Sequence, residues 1–282
     1  MRVNNIMKYE GGVSKLREEV SEAIDENHRV TASTRINELV ELGESAADDM
    51  LELEVKKIVK VLISLLKNVN LKKEKDSIDV TQNMTFGEYL EEVANLMWKN
   101  VTSDIMYGLL RIGKKCAEKN LDVATIDVLG ALREIAFWAA EGKATNKKLD
   151  KLRDITADIV NYAMAVLTQI GIVAIERDLS NDTILTSSKS LFEIGNKVFN
   201  DSRSRKTFTL SDKWMLSSVK NNLEKIADKA YEKNRSKFEN VYTFIAGRFH
   251  DVDRIFIFMI TSLRRYKQSN IFHFYWTPSF PF

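Results

Sequence analysis

The amino-acid sequence predicts an all-α protein built as a stack of amphipathic helix pairs, an α-solenoid-like helical repeat. The only prolines, Pro278 and Pro281, lie in the last five residues, whereas β-sandwiches and β-barrels need frequent Gly and Pro turns. Apolar residues such as Ile36, Leu39 and Leu42 recur at steps of three and four, which places them on one helix face. A short pattern that returns along the chain predicts the repeat.

The composition limits the class of protein. With 44% apolar and 29% charged residues, the chain of 282 residues can fill a hydrophobic core. Its single cysteine, Cys116, excludes an intramolecular disulfide and a cysteine-based zinc site, and it fits a reducing compartment. No segment reaches the roughly 18 to 20 uncharged apolar residues of a transmembrane helix, and the first residues lack the apolar region of a secretory signal. We therefore expect a soluble cytoplasmic protein.

The chain divides into segments in the following order. Residues 1–32 hold an acidic amphipathic helix, which we expect to cap the open end of the stack because a terminal unit needs one polar face. Residues 33–200 hold the helical repeats, interrupted by an exposed polar connection near residues 70–82. Residues 201–268 form a basic helical unit, and residues 269–282 form an aromatic tail.

The repeated pattern is Leu-x-x-Ile/Leu/Val followed by a small residue. It begins at Leu39, Leu90, Leu109, Leu132, Leu167, Leu191 and Leu223, and the small residue is a glycine at Gly43, Gly113, Gly171 and Gly195. Glycine inside a helix costs about 1 kcal/mol relative to alanine, so we predict that a neighbouring backbone approaches closely at these positions. Any amphipathic helix can match part of this pattern, and the recurring glycine is what favours repetition.

The spacing of the pattern predicts the repeating unit. Gly43, Gly113, Gly171 and Ala227 are separated by 70, 58 and 56 residues, which indicates degenerate repeats of one helix pair. These distances leave room for a third helix, around Thr85–Lys99 and again around Leu149–Ile159.

The predicted stack resembles the HEAT/armadillo class of helical repeats over roughly residues 33–256. It departs from that class in its longer period, because HEAT and armadillo repeats span about 40 to 47 residues. The residues indicate no specific family. The resemblance implies a curved surface that binds another macromolecule.

Catalytic signatures are absent from the sequence. It contains no G-x-x-x-x-G-K-[ST], G-x-G-x-x-G, H-E-x-x-H or G-x-S-x-G motif, so we predict no catalytic residue, no cofactor and no metal. His250 would suit a metal-dependent phosphohydrolase only with an upstream partner, and His28 is the only candidate. We interpret the carboxylates between Glu38 and Glu54 as a solvated helix face, and assign Cys116 and tryptophans such as Trp214 to the core.

Charge is distributed unevenly along the chain. Residues 1–100 hold 14 basic and 19 acidic side chains, residues 101–200 hold 13 of each, and residues 201–282 hold 15 basic and 8 acidic. The basic side chains that could contact phosphates are Arg203, Arg205, Lys206, Lys225, Lys229 and Lys233. The last three lie four residues apart and form a ridge along one helix. Interleaved acidic residues make a solvated Lys/Glu face the plainer interpretation.

We predict from these observations a non-enzymatic helical-repeat scaffold that mediates protein–protein interaction with an unknown partner. One alternative is nucleic-acid binding through the basic C-terminal third. Another is peripheral membrane association through the aromatic C-terminus, since nine of the fourteen phenylalanines lie from Phe238 onward. Self-association is a variant of the scaffold hypothesis, with the acidic end of one copy against the basic end of the next.

Overall fold

The computed structural model describes residues 2–26, 28–79, 86–145, 150–204 and 210–248. These ranges contain α-helices joined by short turns and hold no β-strand, as predicted. The helices are α1 (Arg2–Asp25), α2 (Arg29–Asp48), α3 (Glu52–Asp79), α4 (Phe86–Glu118), α5 (Asp122–Thr145), α6 (Asp150–Glu176), α7 (Asn181–Ser204), α8 (Leu210–Asn234) and α9 (239–248).

The helices form a stack of two layers. Within the described ranges, each helix from α1 to α8 contacts the helices one and two places along the chain and none farther away. We call α2, α4, α6 and α8 the even-helix layer, and the helices between them the odd-helix layer. The pairs α2–α3, α4–α5, α6–α7 and α8–α9 are units 1 to 4. The predicted stack of helix pairs is thus confirmed.

One hydrophobic core runs through all the units, because every unit buries apolar side chains from both of its helices. At the N-terminal end, α1 packs on α2 and α3. It buries Val13, Leu16 and Val20 there, while the glutamates on its other side are exposed or half-buried.

The turns inside units 1 to 3 share one backbone geometry. Each contains a residue with positive φ: Met50 at 59°, Asn120 at 56° and Asp178 at 58°. The next residue is a leucine whose amide donates to a carbonyl five residues earlier: Leu51 to Ala46 at 2.8 Å, Leu121 to Cys116 at 2.9 Å and Leu179 to Ala174 at 2.9 Å. This is the Schellman ending of a helix, in which an apolar residue follows the left-handed one. The three turns therefore mark equivalent points of the repeat.

The recurring glycines seat isoleucines of the following unit. A Cβ built on Gly43 would lie 2.6 Å from Ile112 Cδ1, and one on Gly113 would overlap Ile170 Cδ1. One on Gly171 would lie 2.7 Å from Ser187 Oγ of the same unit and 3.3 Å from Ile226 Cδ1 of the next. Each of these isoleucines directly precedes the small residue of its own unit. The prediction that a neighbouring backbone approaches these glycines is wrong, because the nearest atoms belong to side chains. At Gly195 the neighbour is likewise a side chain, Val219, at 3.2 Å.

The predicted third helices are wrong. Residues 86–99 belong to the first half of α4, which runs for 33 residues, and residues 150–159 open α6, which runs for 27 residues. The long period therefore arises from long helices and not from an additional one. Residues 70–79 of the predicted polar connection continue α3 as helix, and residues 80–85 lie outside the described residues.

Candidate interaction surface

The basic ridge that the sequence predicts on α8 lies against unit 3. Lys229 Nζ is 2.8 Å from Glu176 Oε1. Lys233 Nζ is 3.5 Å from Asp178 Oδ2 and donates to the main-chain carbonyl of Glu176 at 3.1 Å. Lys237 also donates to Asp178, at 2.9 Å. The hydrogen bond and charge of Glu176 raise the pKa of Lys229, whereas Lys237 and then Lys233 lower the pKa of Asp178. Two of the three ridge lysines thus already bind carboxylates.

The other candidate phosphate contacts are spread over two helices. Lys225 is exposed one turn before Lys229, and Arg203 is exposed in the last turn of α7. Arg205 and Lys206 lie outside the described residues. Nucleic-acid binding by these residues stays a prediction.

Six of the seven carboxylates from Glu38 to Glu54 are bound by donors from several helices. The pairs are Glu38 with Arg35, Glu44 with Arg111, Asp48 with Lys115 and Lys119, Asp49 with Tyr9, Glu52 with the amide of Ala124, and Glu54 with Lys57. In the part of the chain that the structure describes, no group of three His, Cys, Asp or Glu side chains could hold a metal ion. Several of these carboxylates instead join unit 1 to unit 2. His250 lies outside the described residues.

A second polar joint connects units 2 and 3 in the odd-helix layer. Asp122 Oδ1 accepts hydrogen bonds from the Ser180 amide at 3.2 Å, from the Ser180 hydroxyl at 2.9 Å and from the Thr183 hydroxyl. One unit earlier, Glu52 accepts from the amide of Ala124 at 3.1 Å. The first turns of α3 and α5 therefore each bond to the start of the next odd helix, α5 and α7.

Two single residues test the sequence-based assignments to the core. Cys116 is fully buried, and burial raises the pKa of its thiol to about 12, so it is an inert structural thiol as expected. The assignment of Trp214 to the core is wrong, because 66% of its surface is exposed. The next two residues of α8, Met215 and Leu216, supply the buried side chains of this turn.

Exposed aromatic side chains lie on successive helices of the even-helix layer. Tyr107 on α4 is 53% exposed, Tyr162 on α6 is 37% exposed, and Trp214 follows on α8. Tyr107 and Tyr162 are near one another: partial burial, and then the proximity of Tyr107, raises the pKa of Tyr162. We define the even-helix face as the solvent side of α4, α6 and α8 that carries these three residues together with Gln169 and Ser217.

The centre of the even-helix face is free of charge. From Ile159 to Ile175, α6 carries no Asp, Glu, Lys, Arg or His, although Tyr162 and Gln169 in this stretch face solvent. Charged side chains lie beside it: Glu176 pairs with Lys229, and Glu224 and Lys225 are exposed on α8. The sequence shows this patch as a charge-free stretch with polar and aromatic residues at helical spacing. The exposure of Tyr162 and Gln169, however, depends on which side of α6 the neighbouring helices cover.

The segment Ile159–Glu176, which contains this stretch, is long and apolar enough to cross a membrane by length and composition alone. In this structure 56% of it is buried, since α6 packs on α4, α5, α7 and α8. Its apolar composition is therefore that of a core helix with one open side.

The last described turn holds a separate aromatic group. The ring centroids of Tyr231 and Tyr242 are 6.4 Å apart, and the Arg235 guanidinium lies 5.5 Å from the Tyr231 centroid. The aromatic tail and the rest of residues 249–282 lie outside the described residues, so peripheral membrane binding through them stays a prediction.

Comparison with solved structures confirms the fold class. The chain is similar to a protein titled "Circular tandem repeat protein with novel repeat topology and enhanced subunit contact surfaces". The TM-score is 0.56 and the identity 15%, over 90% of this chain and 53% of that one. This chain thus spans about half of that protein's length. It is also similar to a protein titled "DHF46 filament", with a TM-score of 0.49 and 11% identity over 80% of this chain and 97% of that one.

No protein-family model matches the sequence, and no curated protein matches it either. The likeness to a solved repeat protein thus establishes the helical-repeat architecture at the level of fold class only.

Proposed function

We propose that this protein is a non-enzymatic helical-repeat scaffold that binds a protein partner through the even-helix face. The observation that carries the proposal is the charge-free stretch of α6 together with the aromatic residues Tyr107, Tyr162 and Trp214, which are exposed on α4, α6 and α8. The cores of protein–protein interfaces are depleted in charged residues and enriched in Tyr and Trp. Such aromatic residues also supply most of the binding free energy in these interfaces.

Two features of the surface favour a protein over a nucleic acid as the partner. Nucleic-acid affinity comes largely from Lys and Arg side chains that neutralise phosphates, and the centre of the even-helix face has none. In the basic ridge, Lys229 and Lys233 bind Glu176 and Asp178, and Lys225 is exposed. A phosphate would have to displace these carboxylates before it could bind the ammonium groups of Lys229 and Lys233.

The experiment that tests the proposal is a quantitative pull-down from the native cell with two matched variants. In the first, Tyr107, Tyr162 and Trp214 are replaced by alanine. In the control, Leu53 and Val123, which are 64% and 60% exposed on the odd-helix layer, are replaced by alanine. Loss of one interface hot spot costs 2 kcal/mol or more, so we expect at least a tenfold loss of the bound partner in the first variant and no loss in the control.

Both variants are first checked for an unchanged helical circular dichroism spectrum and melting temperature. Equal capture by the wild type and the even-helix variant contradicts the proposal. A partner that is lost equally from both variants contradicts it as well, because that result places the contact on no particular face.

A further inference from the structure

We propose that residues 254–267, which we call the C-terminal segment, bind the open side of unit 4 and take the place of a following even helix. We define the end face as the side of α8 that points away from unit 3, together with Tyr242 of α9. The described ranges end at Arg248. Equivalent positions in the earlier units, equivalent ion pairs and the reach of the chain together select this segment as the occupant. The inference is independent of the even-helix face.

The end face corresponds to a side that is covered in units 1 to 3. On α2, Val40 packs against Gly108 of α4. One turn beyond Gly43 on the same side lies a residue that is fully buried in each of these units: Ala47, Ala117 and Ile175. The spacings of 70, 58 and 56 residues place Tyr231 at this position of unit 4, and Tyr231 is 53% exposed. The side of α8 that a following helix would cover is therefore open.

A carboxylate of the end face corresponds to two that bind the following unit. In unit 1, Asp48 lies 2.9 Å from Lys119 of α4, and in unit 3, Glu176 lies 2.8 Å from Lys229 of α8. The same spacings make Glu232 their counterpart in unit 4, where it is exposed. The repeat therefore predicts that a basic residue of the chain that covers α8 binds Glu232.

The C-terminal segment has the composition that this side requires. Its apolar residues Ile255–Ile260 match the two tyrosines of the end face, Tyr231 and Tyr242, whose ring centroids are 6.4 Å apart. The segment contains no Asp or Glu, and its basic residues are Arg254, Arg264, Arg265 and Lys267. Along the end face, an exposed acidic line repeats every four residues: Glu224, Asp228 and Glu232. Opposite charges on the two surfaces favour this pairing.

A shared spacing predicts the register of the segment. In the stack, an isoleucine that contacts the previous unit is followed seven residues later by a lysine that binds a carboxylate of that unit. The pairs are Ile112 with Lys119 and Ile226 with Lys233. In the C-terminal segment, Ile260 and Lys267 have the same spacing. We therefore place Ile260 against Ala227, and Lys267 beside Glu232.

The chain is long enough for this contact. Arg248 lies six residues beyond Tyr242, which is about 9 Å at the α-helical rise. The seven residues from Arg248 to Ile255 span up to about 25 Å when extended, so the segment reaches the end face. The covalent link also gives the segment an effective concentration in the millimolar range. A second molecule or a lipid surface must compete with this tethered segment.

A benzophenone amino acid in place of Tyr231 in the full chain tests where the segment binds. The protein is irradiated at about 1 µM, a concentration at which contacts within one chain prevail over those between chains. We expect a crosslink within a single chain that mass spectrometry maps to residues 254–267. The same amino acid in place of Tyr107, which is 53% exposed on α4, should give no crosslink to this segment.

Hydrogen exchange of the backbone amides in residues 254–267 measures the docking equilibrium. Lys267→Glu sets two carboxylates against each other at Glu232, so the protection factors should fall about two- to fivefold. Addition of Glu232→Lys restores opposite charges and should recover them. Lys60→Glu makes the same change of charge at an exposed site on α3 and should leave the protection factors unchanged. Recovery by the second substitution is a result that a general loss of stability would not give.

Each of four outcomes overturns the inference. They are a crosslink from position 231 only between two copies, a crosslink that avoids residues 254–267, the absence of protection in these residues of the wild type, and no recovery on addition of Glu232→Lys. If the unprotected segment instead binds phosphatidylglycerol vesicles, its partner is a membrane, which also overturns the inference. None of these results affects binding at the even-helix face, so they are distinguishable from a failure of the proposed function.

Discussion

Replacement of Gly113 by alanine tests whether the glycines seat the isoleucines of the next unit. A Cβ on Gly113 would overlap Ile170 Cδ1 and would lie 3.1 Å from both Ile170 Cγ1 and Val128 Cγ1. All three residues are buried at the centre of the stack, where little room exists for adjustment. The higher helix propensity of alanine contributes about 1 kcal/mol, whereas overpacking costs about 1–3 kcal/mol. We expect the free energy of unfolding to fall by about 1 kcal/mol.

Gly130 on α5 is the matched control for this substitution. A Cβ there meets no atom within 4 Å, and its φ is not positive. Gly130→Ala should therefore raise the free energy of unfolding by about 1 kcal/mol through helix propensity alone. The two alanine variants should differ by about 2 kcal/mol in urea unfolding followed by far-UV circular dichroism.

A substitution at Ile170 tests whether its Cδ1 atom causes the loss of stability in Gly113→Ala. Ile170→Val removes the methyl group that overlaps the new Cβ, and by itself it should cost about 0.5–1.5 kcal/mol. In that background Gly113→Ala should stabilise the protein, because its methyl group fills the vacated space. If Gly113→Ala stabilises the otherwise unchanged protein as much as Gly130→Ala does, the close packing of Ile170 against Gly113 is refuted.

Three further predictions concern the polar joints and the buried thiol. Lys237→Ala should raise the pKa of Asp178 towards its ordinary value in an NMR titration. Because the folded pKa is lowered, the pair stabilises the fold above the unfolded pKa of about 3.9 and loses this effect as pH falls through the folded pKa; an unchanged titration contradicts the contact. Glu176→Gln with Asp178→Asn removes the carboxylates that bind Lys229, Lys233 and Lys237, so duplex DNA affinity at low salt should increase and its slope against log salt should steepen by about three; identical gel shifts would show that these lysines do not bind DNA. The Cys116 thiol should react with an aromatic disulfide reagent only after unfolding, and rapid labelling of the native protein at pH 8 contradicts its burial.

The sequence allowed prediction of those features that depend on local pattern. Helical periodicity and the lack of proline predicted the all-α class, and the recurring glycines predicted where neighbouring units pack most closely. Equivalent turns at Met50, Asn120 and Asp178 follow the same spacing of 70 and then 58 residues. These features could be predicted because residues three and four apart lie on one face of a helix. The buried face and the glycines on it are therefore visible in a short segment of sequence.

The features that the sequence did not predict depend on pairing between distant residues. Whether Lys229 faces solvent or a carboxylate is decided by the position of Glu176, 53 residues away, which no local pattern specifies. Trp214 was assigned to the core on composition, although exposure depends on which side of α8 its neighbours cover. The charge-free stretch of α6 was visible in the sequence, but only the stacking of α4 and α8 on both sides shows that one side of it stays open.

Site-specific photo-crosslinking in the native cell shows whether the even-helix face binds a protein. A benzophenone amino acid replaces Tyr162 on the even-helix face in one variant and Val123 on the odd-helix layer in the other; both native side chains are exposed. We predict a discrete covalent adduct with a partner protein from position 162 and none from position 123. Equal adducts from both positions, or an adduct from position 123 alone, would contradict a binding function for the even-helix face.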